Sequence, residues 1–467
     1  MPAVHDERRI LGHPVGLYVL FFTEMWERMS YYGMRSLLVL YMTSFLFVDP
    51  VRSQATLGFD AIRSAIETVY GTQNVQQLAS QVYGLYTGLV YFTPFFGGLL
   101  ADRVLGQRRS VYLGGVLMMI GHFLMASERL FFVALGFLIL GNGCFKPNIS
   151  TQVGRLYAAG DARRDGAFTI FYMGINLGAF FAPLVCGTLG QRVGWHYGFA
   201  AAGVGMGIGL VVYAFGQRFL APDTLTAHAG DPAHTRPLLR EEKLGILALV
   251  LLCALNVVFW GVYEQQGNTM QLWADQRTNW TFAGVEIPST WYQALNPFLI
   301  FALAPLLSLL WAKQSRSGRE PSSVVKMALG CILLGAGYAV MIAAASRVPD
   351  GARGSIGWLF GATLVVTIGE LYLSPVGLSL VTKVAPPRYV SMLMGMWLLS
   401  NFLGNSLSGW LGTWYSVLPG SSFFAMLAAL AIASGLVMWL FNRPIQRWLA
   451  SSEAGRPSTV HPPVEAH

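Results

Sequence analysis

Residues 24–35 read EMWERMSYYGMR and sit inside a long apolar run, VGLYVLFFTEMWERMSYYGMRSLLVLYM, residues 15–42. The run therefore carries Glu24, Glu27, Arg28 and Arg35 where little water is available to solvate them. On a 3.6-residue period Glu24, Glu27, Arg28, Tyr31, Tyr32 and Arg35 share one helix face. Glu24 and Arg28 form a favourable i,i+4 pair with the acid first. A charge at the centre of a bilayer costs at least about 2.5 kcal/mol even on a lenient scale. The stripe must face a bundle interior or a wet cavity.

The rest of the chain has the same character. Of 467 residues, 54% are hydrophobic and only 12% are charged, whereas a soluble domain is about one-quarter charged. Apolar runs of about 20 residues recur, each able to cross a hydrocarbon core about 30 Å thick as a helix. A membrane barrel would instead alternate over segments of about 10 residues. The reading is an all-α integral membrane protein with twelve spans, near 15–46, 77–101, 109–127, 130–157, 166–190, 197–220, 244–273, 287–312, 322–346, 355–382, 388–414 and 421–442. The first run is too long and too charged for a cleaved signal peptide.

Lys and Arg concentrate in alternate loops and at both ends, among them Arg8, Arg9, Arg103, Arg108, Arg109, Arg163, Arg164, Lys243, Lys313, Arg443 and Arg447. The opposite loops hold few, such as Arg52, Arg63, Arg129 and Arg192. By the positive-inside rule both termini are cytoplasmic. The net charge of +8 then reflects topology and contact with the lipid bilayer, and no nucleic-acid partner is expected.

The longest polar break, APDTLTAHAGDPAHTRPLLREEK at 221–243, divides the spans six and six. The expected organisation is an N-terminal six-helix bundle at 1–220, a cytoplasmic linker at 221–243, a C-terminal six-helix bundle at 244–445 and a cytoplasmic tail at 446–467. Two such bundles as parallel repeats around a midplane site describe the major facilitator fold. Residues 47–76 form a second break, expected to contain a short amphipathic helix without chemistry. Cys144, Cys186, Cys253 and Cys331 fall within spans and lack metal spacing, so they read as packing residues. His122 reads as a hydrogen-bonded packing residue rather than a ligand. No glycine-rich nucleotide loop or nucleophile–base constellation stands out. An enzyme, direct use of ATP, and a cofactor other than protons are all unexpected.

Later spans supply partners for the charged stripe. GNGCFKPNIS places Lys146 among apolar residues, beside a proline free to kink the helix. FYMGINLG puts Tyr172 and Asn176 on one face, FWGVYEQQG does so for Trp260 and Glu264, and GELYLSP for Glu370 and Ser374. Asn296 precedes a proline in ALNPFLI, and Trp397 lies in GMWLLSNF. The intramembrane cations all lie in the first half, while Glu264 and Glu370 are the acids of the second. A cavity between the halves would have one positive and one negative wall, which suits a zwitterion such as an extended peptide. Arg28 and Lys146 would take its carboxylate, Glu370 its ammonium, and Tyr, Trp and Asn its backbone. The alternative is a buried ion-pair network that only fixes helix packing. Such networks are often no more stabilising than apolar replacements, so several in one membrane protein favour the working site. A carboxyl group suits it because burial favours its neutral form and a nearby guanidinium its charged form.

EMWERMSYYG resembles the ExxERFxYYG motif of proton-dependent oligopeptide transporters, the peptide-transporter branch of the major facilitator superfamily. LVYFTPFFGGLLADRVLGQRR, GNGCFKPN, DARRDGAFTIFYMGINLGAFFAP, GWHYGFAAAG, FWGVYEQQG, LNPFLIFALAPL and GELYLSPVGLSLVTKVAP resemble further segments of that family, in the same order. The resemblance implies a proton-coupled symporter that imports di- and tripeptides, and peptide-like drugs, by alternating access. It implies proton coupling at Glu24, Glu27, Arg28 and Glu264. It implies peptide contacts at Arg28, Tyr32, Arg35, Tyr91, Lys146, Tyr172, Asn176, Trp260, Asn296, Glu370, Ser374 and Trp397, with packing kept open for Trp397. Arg35–Glu264 and Lys146–Glu370 match gate pairs, while Asp102 and Arg103 read as organisers of helix ends.

Some positions depart from the family pattern. Met29 replaces the motif's Phe, Gly166 and Ala167 stand where SG is usual, and Tyr263 stands where some members have a second acid. The second span lacks the His of animal members, and the linker is too short for the two extra helices of many bacterial ones. The modest size and short external loops point to a bacterial inner membrane, and a monomer is expected. An anion carrier of the same fold, an exporter and a non-transporting peptide receptor remain as alternatives; Glu370 argues against the first, and the charged cluster of the first span against the last.

Overall fold

A computed structural model describes residues 9–158, 161, 163–223, 240–349, 351–384, 390–443 and 446–447. Most of the expected linker, 224–239, and most of the expected tail, 448–467, lie outside the described residues. Each of the twelve expected spans contains a helix. In the first half these are α1 (Val15–Tyr41), α4 (Val75–Leu100), α5 (Gln107–Leu124), α6 (Phe131–Arg155), α7 (Arg163–Ala182) and α9 (Trp195–Gly216). In the second half they are α10 (Arg240–Tyr263), α12 (Leu295–Arg316), α13 (Ser323–Arg347), α14 (Ile356–Val384), α15 (Val390–Thr413) and α16 (Gly420–Leu440). Among the described residues, nine helical segments are long and apolar enough to cross a membrane. The first is not among them, because its polar stripe interrupts the apolar run.

Local sequence sets the ends of these elements. Asn74 and Gln77 form a reciprocal capping box that starts α4, each side chain accepting the other's backbone N–H at 2.9 Å. The break at 47–76 holds two short helices rather than one. α2 (Pro50–Ala55) is capped by the Asp49 side chain, and α3 (Phe59–Tyr70) lies between Gly58 and Gly71, both at positive φ. Two two-residue hairpins were not anticipated: β1 (Arg9–Ile10) with β2 (His13–Pro14), and β3 (Thr281–Phe282) with β4 (Val285–Glu286).

The expected seventh span is not one helix. α10 ends at Tyr263, a tight turn covers Glu264–Gln266, and α11 (Thr269–Arg277) resumes after Asn268, whose ψ is −98°. The break coincides with a close approach between the halves. A Cβ at Gly267 would lie 2.0 Å from the Tyr83 hydroxyl of α4, so only glycine fits there. Two more breaks help frame the cavity: α8 (Thr188–Arg192) follows a wide turn at Pro183–Gly187, and a tight turn at Ser289–Ala294 precedes α12.

The packing order repeats. α1 packs on α7 and α9, α5 on α6 and α9, and α4 on α6. α10 packs likewise on α15 and α16, α13 on α14 and α16, and α12 on α14. Every pair in the first half has its counterpart at the same place in the second, as expected of a parallel internal repeat. Each half has its own apolar core, one around Leu20, Tyr41, Phe131 and Phe199, the other around Phe259, Tyr338, Phe423 and Phe424. The halves meet where α4 crosses α15 and α7 crosses α12. His122 is buried, with neither ring nitrogen bonded to a described residue, so it packs without the expected hydrogen bond.

Candidate functional site

A cavity of about 160 Å³ lies between the halves. Tyr32 and Arg35 of α1, Tyr91 of α4, and Tyr172 and Asn176 of α7 line one wall. Trp260 of α10, Glu264 after it, Asn296 of α12 and Glu370 of α14 line the other. Eight of these nine positions were readable from polar residues spaced along apolar runs; Tyr91 entered only through the family resemblance. Helical periodicity turns each of those short motifs toward the space between the halves.

The four charges of α1 divide into two groups. Glu24, Glu27 and Arg28 are 2%, 0% and 3% exposed and form one cluster behind the cavity wall. The Arg28 guanidinium donates to both oxygens of Glu27, one of them at 2.6 Å from Nη2, and its Nε lies 3.3 Å from Glu24 Oε1. The other Glu24 oxygen is buried with no partner among the described residues. Two turns further on, Arg35 reaches across to the second half and donates to Glu264. Its Nε also donates to the Tyr83 hydroxyl at 2.7 Å. Both residues of this ion pair line the cavity.

Lys146 does not line the cavity, but its Nζ sits 4.6 Å from the centre of the Tyr91 ring, which does. It makes no ion pair with a described residue. The expected Lys146–Glu370 contact is therefore not formed in this structure. Glu370 is held instead by Asn296, whose Nδ2 donates to Glu370 Oε2 at 2.8 Å and to Thr367 Oγ1 at 3.0 Å. Among the described residues no cation pairs with Glu370. The Trp260 indole N–H is likewise unpartnered. The second-half wall thus carries a carboxylate with no cation partner among the described residues, with cations at and behind the other wall.

Arg28, Glu24, Glu27, Ser374 and Trp397 are not in the lining. Ser374 is half-buried one turn beyond Glu370. Trp397 is 5% exposed and packs on α14, where a Cβ at Gly377 would fall 2.1 Å from its ring. Sequence reasoning missed Tyr83, and also Tyr263, Gln266, Tyr292 and Gln293, which join the lining. Gln293 stands three residues before Asn296, a helical spacing that signals a shared face. Tyr263, Gln266 and Tyr292 sit in or beside tight turns, where no period points to a face, whereas Tyr83 lies inside α4.

The halves are also clasped away from the cavity. Ser80 donates to Asn268 at 2.9 Å, Gln76 to the Gly412 carbonyl at 3.0 Å, and Asn74 to Ser416 at 3.0 Å. On the opposite side of the Arg35–Glu264 pair, Gln191 bonds Ser289 and Thr290. Among the described residues, every hydrogen bond between the halves lies at the end of the molecule away from the chain termini.

Comparison with known proteins agrees with this architecture. The sequence profile described as "POT family" matches residues 108–226 and 237–426. The peptide transporter YePEPT of Yersinia enterocolitica is 33% identical, with 96% of this chain and 97% of that protein aligned. A di-/tripeptide transporter of Lactococcus lactis is 32% identical over 94% of this chain and 97% of its own. A crystal structure of a mutant peptide transporter POT in complex with alafosfalin superposes with a TM-score of 0.83 at 32% identity, covering 95% of this chain and 97% of that one. These relatives are transporters, and the chain they match is a multi-pass membrane protein that belongs to the POT family.

Proposed function

We propose that this chain is a proton-coupled symporter that imports di- and tripeptides by alternating access. The observation that carries this reading is the Glu370 carboxylate, which faces the cavity without a cation partner while Arg28, Arg35 and Lys146 lie at or behind the opposite wall. A peptide zwitterion fits between them. Glu370, oriented by Asn296, takes the ammonium. Lys146 and Arg28 take the carboxylate, and Tyr32, Tyr91, Tyr172, Asn176 and Trp260 meet the backbone and side chains. Ser374 and Trp397 support that wall from outside the cavity. The names of the Yersinia and Lactococcus relatives and the alafosfalin complex support a peptide or peptide-like substrate.

The charge balance of the first span supports the proton. Glu24 and Glu27 share one guanidinium, and all three groups are nearly fully buried. Two carboxylates on one guanidinium leave one acid oxygen of Glu24 without a partner among the described residues, and an unsatisfied buried charged group is costly in a low-dielectric interior. A proton on either acid removes a negative charge and loosens the hold on Arg28. In the same way a proton on Glu264 weakens its pair with Arg35 and releases the outer gate. Peptide then enters, the outer end closes, and proton loss inside restores the Glu–Arg pairs and expels the peptide. Each step is a local change of charge that biases a two-state motion of the halves. The full reading has twelve spans with both termini cytoplasmic, bundles at 1–220 and 244–445 joined by 221–243, a tail at 446–467, and a monomer in a bacterial inner membrane with no cofactor beyond the proton.

The test is uptake of labelled dialanine into proteoliposomes with an acidic exterior. The expected result is accumulation above equilibrium that an uncoupler abolishes. Glu27→Gln is expected to lose that accumulation and keep dialanine exchange, because exchange needs binding but no net proton transfer. Full gradient-driven uptake by Glu27→Gln would remove the proton role from that residue. No uptake by the parent protein would end the peptide reading.

A further inference from the structure

Gln191 of α8 extends from the first half into the second with its whole amide engaged. Its Nε2 donates to Ser289 Oγ at 2.9 Å and to Asp275 Oδ1 at 3.3 Å. Its Oε1 accepts from the Thr290 backbone N–H at 3.2 Å and from the Thr290 hydroxyl at 3.0 Å. Ser289 in turn donates to Asp275 at 2.6 Å. The same junction is tight at the backbone, since a Cβ at Gly187 would fall 2.2 Å from Thr290 Oγ1. Close by, the Trp291 indole donates to Thr188 Oγ1 at 2.8 Å. The contacts that Gln191, Gly187 and Thr188 make with the second half cannot survive a separation of the halves at this end.

The junction is also wired to the cavity. Gln271 Nε2 reaches Ser289 Oγ at 3.5 Å, and Gln271 Oε1 accepts from Gln293 Nε2 at 3.0 Å. Gln293 lines the cavity. A continuous chain of side chains therefore runs Gln293–Gln271–Ser289–Gln191, from the cavity in the second half to a glutamine of the first.

We propose that Gln191 is a latch of the outer-closed state, set through Gln271 by what occupies the cavity at Gln293. The proposal rests on the transport reading for its relay, but the latch itself rests on geometry alone. It adds a third clasp to the Arg35–Glu264 pair and to the α4–α15 contacts, on the side where α8 meets the turn before α12. A two-state equilibrium shifts only as far as an interaction favours one state over the other. An amide that bonds both ways across the junction gives that difference.

Val193 and Val285 are exposed on opposite halves near this junction. Spin labels on Val193→Cys and Val285→Cys, in a Cys144→Ser background in lipid nanodiscs, report the distance between the halves there. Gln191→Glu keeps the size of the side chain but turns a carboxylate toward Asp275. It is expected to raise the ratio of long to short distances roughly tenfold, the effect of losing one or two net hydrogen bonds. Gly187→Val is expected to act in the same direction by wedging Thr290 away. Distances unchanged from the parent in both variants would overturn the latch. Adding dialanine is expected to shift the parent's distribution but not that of Gln271→Ala, and an equal shift in both would overturn the relay. If dialanine leaves the parent unmoved, the relay falls together with the transport reading, and the latch is still decided by Gln191→Glu and Gly187→Val.

Discussion

Arg28 and Arg35 lie seven residues apart on one face of α1, yet they are committed in different directions. Arg28 is held within its own half by Glu24 and Glu27, whereas Arg35 is held by Glu264 of the other half and by Tyr83. On the proposed reading the first arrangement stores a proton and the second reports it to the gate. Glu370 differs from all of these in having a neutral partner, Asn296, rather than a charged one. Its charge is oriented but not compensated, so it is available to a ligand ammonium. Glu370→Gln should therefore weaken binding of dialanine by about 10- to 100-fold, since a hydrogen bond to a charged group contributes about 1.5–3 kcal/mol. N-acetyl-dialanine carries no ammonium and should bind the parent and the variant about equally weakly. Calorimetric titration of both ligands against both proteins checks this. A uniform loss for the two ligands would mean that Glu370 shapes the wall without meeting the ammonium.

At the scale of elements, the contact of α4 with α15 is made by glycine. A Cβ at Gly84 would fall 2.6 Å from the Cα and N of Gly409 and 2.8 Å from the Asn405 carbonyl oxygen. All of those atoms are backbone, so neither helix can yield without moving as a whole. Close helix approach of this kind is what small residues permit within membranes. Gly136 of α6 has nothing within 4 Å of its added Cβ. Gly84→Ala should lower the unfolding temperature of the detergent-solubilised protein, since forcing extra volume into a packed contact costs about 1–3 kcal/mol. Gly136→Ala should leave it unchanged or raise it slightly, because alanine has the better helix propensity by about 0.8–1 kcal/mol. A thermal scan in which both variants moved together would show that α4 and α15 do not bear on each other as described. Elements are also the scale at which the sequence was most legible. Long apolar runs located the long helices, and polar residues inside them located Tyr32, Arg35, Trp260, Glu264, Asn296 and Glu370. What stayed hidden lies where the helical period stops. The turn after Tyr263 divides a run that reads as continuous, because the cause is the Tyr83 hydroxyl of a distant helix pressing on Gly267. Gln271 and Gln293 lie near the ends of expected spans and Gln191 just past one, and their connection shows only when the two halves are brought together.

The whole molecule is a pair of like-packed halves that differ in charge. The first half brings Arg28, Arg35 and Lys146 together with Glu24 and Glu27; in the second half the charges that line the cavity are Glu264 and Glu370. Among the described residues the hydrogen bonds between the halves lie at the end away from the termini. A neutral zwitterion carries no net charge through such a cycle, so any net charge moved belongs to the proton. That makes the proposed cycle sensitive to membrane voltage as well as to pH. One elementary charge crossing a potential of 100 mV changes free energy by about 2.3 kcal/mol, which corresponds to roughly a 50-fold concentration ratio at about 1.36 kcal/mol per decade. With equal pH on both sides, a potassium diffusion potential of about 100 mV, interior negative, should therefore drive dialanine accumulation toward that ratio if one proton is coupled to each peptide. Reversing the potential should suppress uptake. Lysyl-alanine carries an extra positive charge and should respond more steeply than dialanine. Alanyl-aspartate carries a negative one and should respond less. Uptake of dialanine that ignores the potential in both directions would mean that no net proton accompanies the peptide. In that case the buried acids of α1 would be packing charges and the molecule a facilitator rather than a symporter.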